Sequence, residues 1–65
     1  MRDQILAASK LHFEAHMEKH RVNVEILLEK GVGVAEHPDV METIEAELAQ
    51  MAEYADKLEM LQEYF

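Results

Sequence analysis

Residues 2–30 contain neither proline nor glycine and are dominated by Leu, Ala, Glu, Lys and Met. These residues lose little conformational freedom in a helix, so the stretch predicts one helix over about residues 2–30. On a helical wheel, Asp3, Glu14, Glu18, Arg21, Glu25 and Glu29 share one narrow side. Ala8, Leu11, Ala15, Val22 and Ile26 form one flank, followed by Ile5, His12, His16 and Leu27. Leu6, Phe13, Met17, His20, Val24 and Leu28 form the other. An apolar or aromatic arc that wide exceeds what one partner helix covers, so this helix should meet at least two neighbours.

Gly31 follows the last periodic residue, where a left-handed cap is expected, and Lys30 suits the negative end of the helix dipole. Residues 31–37 make a connection of the length that joins antiparallel helices. Its valines, Val32 and Val34, are expected to fold over the end of the core. Pro38 is expected to open a second helix over about residues 38–64. Asp39, Glu42 and Glu45 then complement its dipole. Asp39 with Glu42 resembles a capping box, and His37 is an alternative cap.

Within the second helix Met41, Ile44, Leu48, Met51, Ala55, Leu58, Gln62 and Phe65 recur at alternating spacings of three and four, the seam of a coiled coil or bundle helix. The opposite side carries Glu42, Glu45, Glu53, Asp56 and Glu63. The expected fold is all-α: an antiparallel two-helix hairpin over residues 1–65, dimerising into a four-helix bundle. The core or dimer seam is expected to use Leu6, Phe13, Val24, Leu27, Ile44, Leu48, Met51 and Leu58. Tyr64 and Phe65 should close the open end beside Ile5 and Leu6.

Composition favours self-association. A chain of 65 residues buries only about 60% of its unfolded surface, and small folds compensate with disulfides, metals or oligomerisation. Cysteine is absent, which removes disulfides and thiolate metal sites. No segment approaches the ~18 apolar residues of a membrane span. Asp3 and Lys10 interrupt any signal-peptide core, so a soluble cytoplasmic protein is expected. The net charge of −8 falls on the second half of the chain, since residues 1–30 balance. Such a surface repels phosphates and anionic lipid, arguing against nucleic-acid and membrane partners. It suits a basic protein partner or mimicry of nucleic-acid charge, or simply keeps a small dimer in solution.

The chemistry-bearing stretch runs from His12 to His20. His12, His16 and His20 recur every four residues and climb one face of the first helix. Folding the hairpin about its loop brings Val24 near Ile44, His20 near Glu47 and Leu48, and His12 near Ala55 and Asp56. Helix 2 thus offers Glu47, Tyr54 and Asp56 to the histidines. The simplest role is a polar layer that fixes helix register. The alternative is a divalent metal such as zinc, held by His12, His16, His20 and Glu47 with help from a partner subunit. One straight helix cannot present all three rings to one ion, because His12 and His20 stand roughly 12 Å apart along the axis. Neither the Glu-x-x-His of di-iron bundles nor the zinc-protease His-Glu-x-x-His is present. A pH switch is a further possibility, because imidazoles packed neutral must charge on acidification. No catalytic residue is expected: the only serine is Ser9, on a helix, and no phosphate-binding glycine motif occurs.

The phrases His12-Phe13-Glu14-Ala15-His16-Met17-Glu18-Lys19-His20-Arg21-Val22-Asn23-Val24-Glu25 and Glu36-His37-Pro38-Asp39-Val40-Met41 resemble small uncharacterised proteins of contractile-tailed phages that infect marine cyanobacteria. Ala52-Glu53-Tyr54-Ala55-Asp56-Lys57-Leu58 adds to the resemblance, which spans nearly the whole chain. It implies a viral protein acting in a bacterial cytoplasm or carried in a virion, and assigns no residue a role. The expected function is a non-enzymatic phage accessory protein that self-associates and binds a host or viral protein through Glu45, Glu53 and Asp56. The alternatives are the metal-binding bundle and a minor structural virion component.

Overall fold

The computed structural model describes residues 1–30, without the Lys30 side chain, and residues 39–65. Expectations for Gly31, Val32, Val34, His37, Pro38 and the Lys30 ammonium lie outside the described residues. Among the described residues two helices, α1 (Arg2–Lys30) and α2 (Val40–Tyr64), pack against each other as an antiparallel hairpin 49 Å long. Neither helix is long and apolar enough to cross a membrane.

The start of α2 differs from the proline-based expectation. It begins at Val40, with Asp39 as its N-cap. The Asp39 carboxylate accepts a hydrogen bond from the Glu42 main-chain N–H at 2.8 Å, and the Asp39 carbonyl accepts one from Thr43 Oγ1 at 3.1 Å. An aspartate oxygen that satisfies an otherwise unpaired N–H and faces the positive end of the dipole is a stronger start signal than a fixed φ.

The half-buried residues define the seam. On α1 they include Leu6, Ser9, Phe13, His16, His20, Asn23 and Leu27, spaced alternately three and four, with Met17 and Val24 widening the stripe. On α2 they are Val40, Ile44, Glu47, Met51, Tyr54, Leu58 and Leu61. Of the expected seam, Leu6, Phe13, Val24, Leu27, Ile44, Met51 and Leu58 lie between the helices. Leu48 does not, being 47% exposed. The second column of α2 is therefore Val40-Glu47-Tyr54-Leu61 rather than Met41-Leu48-Ala55-Gln62, one residue earlier and about 100° around the helix. The earlier column brings the Tyr54 ring and the Glu47 carboxylate to partners on α1, which Ala55 and Leu48 could not supply.

Phe65 remains exposed, as does Tyr64, so the C-terminal aromatic pair does not seal the hairpin's open end. Phe65 instead borders an open, apolar groove with Leu6, Ala7, Lys10, Leu61 and Gln62. Its main-chain oxygen accepts a hydrogen bond from Arg2 Nη2 at 2.6 Å. Among the described residues none is buried. Two helices alone enclose no interior.

Candidate functional site: a polar layer in the helix seam

The middle of the seam is polar because the α1 heptad places His16, His20 and Asn23 where leucines would otherwise pack. Glu47 and Tyr54 face them from α2. The His20 ring donates through Nδ1 to Glu47 Oε2 at 2.5 Å, with only 12% of the His20 side chain and 23% of the Glu47 side chain exposed. Because a carboxylate only accepts, Nδ1 must carry the proton. Asn23 Nδ2 donates to both oxygens of Glu47 at 3.2 Å. Glu47 thus receives two side-chain donors from one face of α1. The His20 hydrogen bond, followed by that of Asn23, holds its carboxyl below the usual carboxylate range.

One turn toward the open end, the Tyr54 ring lies over His16, with centroids 4.8 Å apart and planes inclined by 21°. It also reaches His20 at 6.1 Å and Phe13 at 6.3 Å. Lys57 Nζ stands 5.1 Å from the Tyr54 centroid while bonded to Glu53 at 3.0 Å. Desolvation beneath these neighbours pushes the His16 imidazole below its ordinary pKa, reinforced by the nearness of His12, Lys19 and His20. His16 is thereby favoured in its neutral form.

The histidine row does not act as one unit. His12 is exposed, with its ring edge-on to two rings of its own helix, His16 at 4.4 Å and Phe13 at 5.7 Å. Asp56, expected opposite His12, is exposed on the outer side of α2, because two residues past Tyr54 is about 200° around the helix. The expected metal set of His12, His16, His20 and Glu47 is split. Glu47 is engaged by His20 and Asn23, His16 lies against Tyr54, and His12 points to solvent. Among the described residues no three His, Cys, Asp or Glu side chains converge on a point that could hold a metal ion.

The imidazole–carboxylate pair has the form of a base and its orienting acid. Ser9 stands eleven residues before His20 on the same helix, about 16 Å along the axis. The arrangement is one of interhelical contacts. A hydrogen-bonded triad and a stacked ring join particular turns of α1 to particular turns of α2.

Asn23 is the member that residue identity alone does not reveal. Its position three residues after His20, continuing the four-three spacing, is the signal that places it in the layer. Fold and site together define an all-α helical hairpin whose seam carries a polar register layer. Searches of protein-family models, curated proteins and solved structures give no match.

Proposed function

We propose that this chain is a non-enzymatic interaction module, which self-associates as a four-helix bundle and captures a protein partner through the acidic outer side of α2. The observation that carries the reading is the charge of that side. Glu42, Glu45, Glu53, Asp56 and Glu63 are all exposed along it, and the only cation of α2, Lys57, is already paired with Glu53. With one of five carboxylates paired, the row keeps a net negative charge, which raises the rate of encounter with a basic surface and disfavours anionic ones. By contrast, α1 as a whole is balanced, with Arg2, Lys10, Lys19, Arg21 and Lys30 against Asp3, Glu14, Glu18, Glu25 and Glu29, and Arg21 is bonded to Glu18 through both Nε and Nη2 and lies 3.8 Å from Glu25.

The resemblance to cyanobacterial phage proteins supports a phage accessory protein working in the host cytoplasm, with a host or viral protein as the target. A minor virion component is the other setting the resemblance allows. The test is capture of basic proteins from infected-cell lysate by the tagged chain, compared with the triple variant Glu45→Lys, Glu53→Lys, Asp56→Lys. Loss of capture in the variant and at high salt is expected. Retained capture would remove these residues from the partner surface.

A further inference from the structure

We infer that α1 carries a second seam, the stripe Ile5-Ala8-Ala15-Val22-Ile26 interrupted by His12 and Lys19, on which a second copy of this chain docks. The inference rests on the self-association part of the proposed function and names its surface. These residues alternate in spacing of three and four, the same period that packs α1 on α2, but rotated by about 100°. All seven are exposed, with Ile5 at 56%, Val22 at 40% and Ile26 at 48%. A helix with two heptad stripes side by side is built to contact two other helices, and α2 supplies only one of them.

Area points to a second copy as the occupant. A compact protein of twice this chain's mass exposes about 7,000 Å². Two free chains, at 5138 Å² each, exceed that by about 3,200 Å². This excess falls within the ~2,000–5,000 Å² buried by obligate homodimers. The stripe spans 22 residues, about 32 Å of straight helix, and each copy brings the same surface to an isologous contact. Ala15 allows close approach of the two helices near its middle, and Ala8 one turn from its end. Lys19 is the one residue of the stripe with a permanent charge, and covering it opposes association.

Two opposed substitutions test this by native mass spectrometry and sedimentation across concentrations, with helicity followed by circular dichroism. Ala15→Glu should convert the dimer to helical monomer, or unfold the chain where the monomer cannot stand alone. Lys19→Leu should tighten the dimer, lowering its Kd about tenfold or more by exchanging a covered ammonium for apolar contact in both copies. Met41→Glu with Leu48→Glu, on the exposed flank of α2, should leave the mass unchanged. A chain that is monomeric at every concentration would overturn self-association altogether. A dimer indifferent to Lys19→Leu, or broken by the α2 pair, would overturn this interface alone. A heteromeric complex forming on the stripe in place of the dimer would also overturn it.

Discussion

Leu27 and Leu28 are neighbours of the same type on the same helix, and the structure separates them. Leu27 lies half-buried in the seam, whereas Leu28 is 65% exposed on the charged side of α1, away from both stripes. Replacing each by alanine removes the same atoms and changes helix propensity equally, so only packing distinguishes the two variants. Full burial of a leucine side chain contributes roughly 1.5–3 kcal/mol. The seam is open to solvent and no closed cavity results, so Leu27→Ala should cost about 1–2 kcal/mol. Leu28→Ala should cost about 0.5 kcal/mol or less, because most of that side chain is in water in the folded state. For a chain of this size the difference of about 1 kcal/mol corresponds to roughly 4–8 °C in Tm. Urea and thermal unfolding followed by circular dichroism at matched protein concentration would measure it. Equal losses, or a larger loss for Leu28→Ala, would refute the helix orientation from which the seam and the second stripe are both derived.

Acidification should destabilise the fold in two steps of the same sign. The folded-state pKa of His16 lies below 6.5, so as pH falls through that value the unfolded chain takes up protons the folded one refuses, and stability drops until the folded value is passed. Glu47, with a folded pKa below 4.5, adds a second loss as pH falls through 4.5, and a urea midpoint constant from pH 8 to 4 would contradict both. His16→Gln should remove the upper step and leave the lower one. Asp39→Ala should cost about 1 kcal/mol through loss of the cap on the Glu42 N–H, read as a lower urea midpoint with an unchanged slope.

The hairpin is legible in the chain because the helix breakers are concentrated. No glycine or proline falls within residues 2–30 or 39–65, and both glycines and the proline fall between them. The seam is legible only in part. Ile44, Met51 and Leu58 stand out by hydropathy, and they do lie between the helices. For the alternate column, hydropathy prefers Leu48 and Ala55 to Glu47 and Tyr54, and here it misleads. A heptad on a 3.6-residue helix admits either column, and the choice depends on what the other helix offers. Asn23 and His20 supply two donors to the Glu47 carboxylate, an interaction between residues 24 and 27 positions apart that no local pattern reports. The pairing of His20 with Glu47 is readable from folding the hairpin about its loop. That the three histidines do not converge is readable as well, since His12 and His20 stand eight residues, about 2.2 turns of helix, apart. Leu28 marks a limit, grouped with Leu6 and Val24 by the wheel yet left in solvent.

The central claim is that one hairpin is half of a fold, since none of its described residues is buried and α1 presents a second stripe. The most direct measurement is sedimentation equilibrium of the unmodified chain at neutral pH from low micromolar to millimolar concentration. A mass of twice 7.5 kDa over most of that range, with cooperative melting, is the expected result. A mass of 7.5 kDa throughout, in a fully helical and cooperatively folded chain, would contradict it.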